Sequence, residues 1–106
     1  MFAELVKLNV PDDFTRADAL ADAYKVLPGW QANPDLIRKH FLWGADGNAY
    51  GFYLWTSKEA AKKAHSEEWL DRTVERFGAR AEILDFDVML LLDNEAESVE
   101  EFAPAA

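Results

Sequence analysis

The alternation of apolar and polar residues predicts strands and helices in a regular order along this chain. Residues 2–10 are rich in β-forming residues and end at Pro11, which predicts a first strand. Thr15 then caps a predicted helix that ends at Pro28-Gly29. The apolar residues of this helix recur at helical spacing and predict a buried stripe. The stripe consists of Ala17, Leu20, Ala21, Tyr24 and Leu27.

A β-hairpin is predicted next. Residues 36–43 and 49–55 are both strand-like, and the second run is dense in aromatic residues. The loop between them contains Asp46-Gly47, a pair that suits the positive φ angles of tight hairpin turns. We therefore predict a two-residue turn, with Asp46 and Gly47 at its centre.

This turn decides which side chains share a face of the hairpin. The predicted pairs are Arg38 with Trp55, His40 with Tyr53, and Leu42 with Gly51. They form a mixed face of aromatic and polar groups, whereas the opposite face is apolar apart from Lys39. A slip of one residue would exchange the two faces, so this prediction depends on the register.

The last third of the chain predicts helices and a final strand. Thr56 and Glu59 match a capping box, Ser66 can cap a second helical piece, and Gly78 can end it. Residues 81–92 predict a long strand that is apolar on both faces.

The order of elements predicts an α+β fold, the ferredoxin-like βαββαβ sandwich. Residues 1–94 form this domain, and residues 95–106 are expected to be an acidic flexible tail. One layer of helices covers only one face of the sheet. We therefore expect a second copy of the chain to cover the other face in a homodimer, as in a dimeric α+β barrel.

Composition narrows the possible partners. The chain has 106 residues, of which 50% are hydrophobic and 13% aromatic, so apolar surface remains for a pocket or a partner. The net charge of −9 opposes binding to nucleic acid or anionic membranes. The chain has no cysteine for disulfides or thiolate chemistry. No signal peptide or transmembrane segment is visible, so the expected location is cytoplasmic.

The mixed hairpin face predicts a pocket for a small hydrophobic or aromatic molecule. His40 can move a proton near neutral pH, Tyr53 can donate to a ligand oxygen, and Arg38 can hold a developing anion. These three residues are the catalytic candidates. The ligand-binding candidates are Trp55, Leu42, Trp30 and His65.

Each candidate also has a purely structural interpretation. The mixed face can simply pack against helices or a second copy, His65 suits a helix C-terminus, and Trp30 can anchor a loop. No glycine-rich phosphate loop and no metal-ligand spacing is present. We therefore predict no metal and no cofactor.

Three segments carry a family resemblance: residues 34–41 (PDLIRKHF), 51–61 (GFYLWTSKEAA) and 86–88 (FDV). They resemble the YdhR-type mono-oxygenases, which belong with the antibiotic-biosynthesis mono-oxygenase-like proteins of the dimeric α+β barrel superfamily. The resemblance extends from Ala3 to about Asn94. The family often has a Gly-Gly pair where this chain has Tyr50-Gly51.

The resemblance implies a homodimer with a hydrophobic pocket in each subunit. It also implies oxygen chemistry on aromatic or polyketide-like substrates without metal, flavin or haem. His40, Tyr53 and Arg38, the candidates from the hairpin pattern, can supply the base and the anion-stabilising groups for it. Two alternatives stay open. One is a non-catalytic dimer that binds small apolar ligands, and the other is an interaction module whose aromatic residues form only core and interface.

Overall fold

A computed structural model describes residues 1–105, and its elements confirm the ferredoxin-like fold. The elements are β1 (Phe2–Leu8), α1 (Arg16–Gln31), β2 (Leu36–Trp43), β3 (Ala49–Trp55), α2 (Lys58–Ala64), α3 (Glu67–Phe77), β4 (Glu82–Asp87), β5 (Leu90–Asp93) and β6 (Ser98–Glu101). Strands β1 to β4 form an antiparallel sheet in the order β2-β3-β1-β4. No helix among the described residues is long and apolar enough to cross a membrane.

Helix α1 begins as predicted but ends later. The Thr15 side chain accepts from the Asp18 N–H, and the Asp18 carboxylate accepts from the Thr15 N–H, which forms a capping box. Pro28 lies within the helix and does not end it. A proline inside a helix removes one N–H donor and crowds the carbonyl four residues earlier, but here the N–H of Ala32 donates to the Pro28 carbonyl and closes the last turn. The additional turn places Trp30 on the helix.

The buried stripe predicted for α1 is wrong. The predicted residues Ala17, Leu20, Ala21 and Tyr24 are exposed. The side chains that face the sheet are Ala19, Ala23, Val26 and Trp30. The stripe ends at Trp30, and burial of the Trp30 indole removes a large apolar surface from water. Because the sequence prediction ended the helix before Trp30, it could not use that residue to orient the helix.

The caps of α2 and α3 follow the prediction with one shift. Ser57, and not Thr56, caps α2. Thr56 is engaged elsewhere, since both its N–H and its hydroxyl donate to Asp35. Ser66 caps α3, and Gly78 ends it in the left-handed conformation with φ 82°, as predicted.

The β2–β3 hairpin has a three-residue loop, so the predicted register is wrong by one residue. The Gly44 N–H donates to the Asn48 carbonyl at 2.8 Å, which leaves residues 45–47 in the loop. Gly47 takes the left-handed conformation with φ 79°, which suits three-residue loops. The observed pairs are Arg38 with Leu54, Lys39 with Tyr53, His40 with Phe52, Phe41 with Gly51, and Leu42 with Tyr50.

The C-terminal region differs from the prediction. The strand predicted over residues 81–92 is two strands, because the chain leaves the sheet after Asp87. Strand β5 pairs with β6 in a separate two-stranded sheet, so part of the predicted aperiodic tail is a strand. The Asp93 side chain accepts from the Ala96 N–H and supports the turn between them. The flexibility of residues 95–106 stays a prediction, and Ala106 lies outside the described residues.

The helices cover one face of the four-stranded sheet. The core on this face is built from Phe2, Val6, Tyr53, Trp55, Ala61 and Ala81. On the opposite face Ala3 and Leu54 are buried, whereas Leu84 and Phe86 of β4 are 60% and 47% exposed. Exposed apolar side chains that share a face are a candidate surface for contact with another molecule.

Candidate functional site

A cavity of about 140 Å³ lies between the sheet and helices α1 and α3. An engineered apolar cavity of about 150 Å³ binds benzene, so one aromatic ring fits a space of this size. The walls are mainly apolar and aromatic. The residues that bear on the chemistry are Trp30, Lys39, Phe41, Gly51, Tyr53 and Trp69.

Lys39 and Tyr53 place an amine and a phenol in the cavity wall, which also includes Arg16, Asp22 and Arg76. The two residues are directly opposite each other on β2 and β3. The Lys39 Nζ donates to the Tyr53 hydroxyl oxygen at 2.7 Å. Tyr53 is only 2% exposed, so its hydroxyl is held by the surrounding structure. The strand pairing therefore fixes an amine and a phenol beside each other at the cavity.

Aromatic rings surround the Lys39 amine. The Nζ lies 4.3 Å from the ring centroid of Trp30, 4.1 Å from that of Phe41 and 4.4 Å from that of Tyr53. Cation–π attraction at these distances favours a positive charge on the nitrogen. Phe41 follows Lys39 by two residues on the same face of β2, and Trp30 comes from the additional turn of α1.

Burial changes the acid–base properties of both groups. Burial lowers the pKa of Lys39 from 10.5 to about 7, although the negative charge of Asp22 acts in the opposite direction. Burial also raises the pKa of the Tyr53 phenol, and the nearby Glu4 carboxylate adds to this effect. Near neutral pH a substantial fraction of the Lys39 amine is therefore uncharged while Tyr53 keeps its proton.

This arrangement supplies two kinds of chemistry. An uncharged amine can accept a proton from a ligand or attack an electrophilic carbon. A buried phenol that keeps its proton can donate it to a ligand oxygen. The apolar part of the wall lowers the local dielectric constant, which strengthens both interactions.

A second polar group lies behind the cavity, within the core. The Glu4 carboxylate oxygen Oε1 is 2.7 Å from His65 Nδ1 and accepts from the Trp55 indole N–H at 2.9 Å. Glu4 is 0% exposed and His65 is 4% exposed. Among residues 1–105, no group of three or more His, Cys, Asp or Glu side chains could hold a metal ion.

The structure separates the residues that the sequence groups into one site. Tyr53 and Trp30 line the cavity, and Leu42 borders it although it shares the sheet face of His40. Trp55 and His65 are buried in the core and do not line it. His40 and Arg38 alternate with Lys39 along β2, so they lie on the opposite face of the sheet, away from Tyr53. The predicted pairing of His40 with Tyr53 is therefore wrong, because the loop has three residues.

Sequence reasoning missed Lys39 and Glu4. Lys39 is the lone charge on a hairpin face that otherwise reads as apolar, and Glu4 lies between Phe2 and Val6 on the buried face of β1. A single charge among alternating apolar residues is the signal that could have found both. For Lys39, this signal indicates a buried charge only once the register of the hairpin shows which face the helices cover.

The comparisons with known proteins concern the fold. No family model matches the chain, and none of the curated proteins does. Solved structures do match. The mono-oxygenase from the gene ActVA-Orf6 of Streptomyces coelicolor, in complex with nanaomycin D, is 15% identical with a TM-score of 0.61, over 80% of this chain and 84% of that one.

Two further structures agree with this match. An antibiotic biosynthesis monooxygenase is 12% identical with a TM-score of 0.63, over 84% of this chain and 99% of that one. SnoaB, a cofactor-independent oxygenase from Streptomyces nogalater, is 14% identical with a TM-score of 0.59, over 82% of this chain and 91% of that one. The chain has the fold of the antibiotic biosynthesis mono-oxygenases. At these identities the likeness extends to the fold alone.

Proposed function

We propose that this protein is a cofactor-independent mono-oxygenase that oxidises a small aromatic compound in the cavity. The observation that carries the proposal is the Lys39–Tyr53 pair, an amine and a phenol 2.7 Å apart in the wall of an aromatic cavity. The fold supports it, since SnoaB is a cofactor-independent oxygenase and the ActVA-Orf6 protein is a mono-oxygenase.

In the proposed reaction Lys39 is the general base. The uncharged amine removes the proton from a phenolic substrate, and the resulting phenolate is electron-rich enough to react with oxygen. Tyr53 donates a hydrogen bond to the developing oxygen anion. For a naphthol, one atom of O₂ enters the ring as a quinone oxygen and the other leaves as water, so the substrate supplies all the electrons.

We also propose that the active form is a homodimer of the YdhR type that acts in the cytoplasm. Leu84 and Phe86, which are exposed on the sheet face opposite the helices, support a second copy as the cover of that face. Segments 34–41 and 51–61 support the YdhR type.

The test is oxygen consumption with 1-naphthol and no added cofactor, with ¹⁸O₂ to follow the label into the quinone. We expect Lys39→Met to lower the rate by about 100-fold, which is typical for loss of a general base. Lys25→Met changes an exposed lysine of α1 and is the matched control. If His40→Ala abolishes the rate and Lys39→Met does not, the reaction takes place on the other face of the sheet and the proposal is wrong.

A second candidate function is non-catalytic binding of a small apolar ligand. The mutual hydrogen bond of Lys39 and Tyr53 favours it, because the pair satisfies its own polar groups and leaves an apolar surface for the ligand. Native mass spectrometry that shows a retained aromatic ligand, without oxygen uptake for any phenol tested, would favour this function over the first.

A further inference from the structure

We propose that Lys39 captures aromatic aldehydes and ketones covalently, as an imine formed inside the cavity. This activity uses the same cavity as the proposed mono-oxygenase function but does not need oxygen. The site would therefore take carbonyl compounds with a single aromatic ring as substrates or inhibitors.

The surroundings of the amine carry the inference. Among residues 1–105, no carboxylate forms an ion pair with Lys39, whereas Lys7 and Lys62 both pair with acidic side chains. The nearest acidic influence is Asp22, which itself pairs with Arg76. An amine that burial keeps partly uncharged, without a paired anion, is the form that attacks a carbonyl carbon.

Tyr53 is placed to assist both halves of the reaction. Its hydroxyl lies 2.7 Å from the Lys39 nitrogen, so it also reaches the oxygen of a carbonyl that the nitrogen attacks. The nitrogen–carbon bond forms as the carbonyl oxygen takes up a proton. The nitrogen gives up one proton, a further proton lets the hydroxyl leave as water, and a protonated carbon–nitrogen double bond remains. No electrons are gained or lost overall.

The rings around Lys39 select and stabilise the product. A protonated imine carries a positive charge on the nitrogen, and the rings of Trp30, Phe41 and Tyr53 lie 4.1–4.4 Å from that atom. The volume of about 140 Å³ admits one aromatic ring beside the new bond. The cavity thus favours an aryl aldehyde over a long aliphatic one.

The test is reductive trapping with benzaldehyde and sodium cyanoborohydride at neutral pH, followed by peptide mapping of the full chain. We expect one benzyl group on Lys39, formed at least about tenfold faster than on any exposed lysine, since an ordinary lysine is almost fully protonated at this pH. The exposed Lys25 and Lys63 are internal references within the same molecule. Excess benzene has one ring, carries no carbonyl group and should compete for the cavity, so it should suppress labelling of Lys39 alone.

Variants separate the roles of the two residues. Tyr53→Phe should slow the labelling of Lys39 without moving it to another lysine, while Tyr24→Phe, at an exposed tyrosine, should not change the rate. Lys39→Arg keeps a positive charge and should abolish the fast labelling. Because the wild-type peptide map identifies the labelled lysine directly, the test does not depend on whether a variant folds.

The outcomes distinguish this inference from the proposed function. Labelling spread over the exposed lysines, with Lys39 unmodified, would overturn the inference even if 1-naphthol is oxidised. Fast labelling of Lys39 in a protein that does not oxidise any phenol would support the inference and count against the mono-oxygenase function.

Discussion

The Glu4 carboxylate and the His65 imidazole meet at 2.7 Å within the core, and the side chains of both residues are fully buried. Glu4 belongs to β1, and His65 follows the last turn of α2. The Trp55 indole donates to the same carboxylate oxygen, so this one oxygen links the sheet to the helical layer.

Removing this carboxylate should be costly for stability. We expect Glu4→Ala to lower the free energy of unfolding by about 3 kcal/mol, because it leaves His65 and Trp55 buried without their acceptor. Glu4→Gln keeps an acceptor oxygen and should cost less. Urea unfolding measures both, with Glu75→Ala on the exposed side of α3 as a control expected to stay within about 0.5 kcal/mol. An equal effect of Glu4→Ala and Glu75→Ala would contradict the role of the carboxylate.

Gly51 provides the space that Tyr53 occupies. A Cβ atom at residue 51 would lie 2.7 Å from the Tyr53 ring and 3.0 Å from its hydroxyl oxygen. Gly51→Ala should therefore move the Tyr53 hydroxyl away from Lys39 and lower the rate of 1-naphthol oxidation about as far as Tyr53→Phe does. Gly29→Ala is the matched control, since nothing lies within 4 Å of the added Cβ there.

A double-mutant cycle shows whether Gly51 acts through Tyr53. If it does, Gly51→Ala should have almost no effect on the rate in a Tyr53→Phe background, because the two changes remove the same interaction. Additive losses would mean that the methyl group at residue 51 disturbs the cavity in another way.

The acid–base state of Lys39 should appear in the pH dependence of stability. Its pKa is about 7 in the folded protein and 10.5 in the unfolded chain, so between these values the unfolded chain binds more protons. Stability relative to Lys39→Met should therefore rise with pH above about 7, by at most about 1.4 kcal/mol per pH unit. Below pH 7 both states are protonated and the difference should be constant.

Urea unfolding of wild type and Lys39→Met at several pH values measures this difference. Subtracting the two curves cancels the groups that both proteins share. A difference that does not change between about pH 7 and pH 9 would mean that Lys39 keeps its ordinary pKa in the fold.

The sheet face that carries Leu84 and Phe86 should control the oligomeric state. We expect the wild type to sediment with about twice the chain mass of 12.0 kDa, and Leu84→Arg to sediment as a single chain. Tyr24→Arg places the same charge on α1, where the side chain is 68% exposed, and should not change the mass. A wild-type mass of 12.0 kDa at micromolar concentration would refute the proposed homodimer.

The fold could be predicted from the sequence because local signals for the ends of helices and strands occur along the whole chain. Thr15, Ser66 and Gly78 mark helix ends through their own side chains and backbone preferences, and the structure confirms all three. Pro28 predicts a helix end that the structure does not have, since α1 continues to Gln31 although a proline inside a helix is unfavourable. In α1 the packing of Trp30 outweighs the local signal.

The candidate site was less predictable because it depends on contacts between strands. Asp46-Gly47 suits a two-residue turn and a three-residue loop equally well, and the choice between them decides whether Lys39 or His40 faces Tyr53. The Glu4–His65 pair joins residues 61 positions apart, which no local pattern indicates. The Lys39–Tyr53 site and the Glu4–His65 pair both depend on contacts between different strands and helices.

The three-residue loop at Gly47 gives this scaffold a simple route to different chemistry. Deletion of one loop residue would shift the register of β2 by one residue. The imidazole of His40 would then face the cavity in place of the Lys39 amine. Neither the strand sequences nor the opposite wall would have to change. In evolution or in protein engineering, the length of the β2–β3 loop could thus determine which basic side chain lines the cavity.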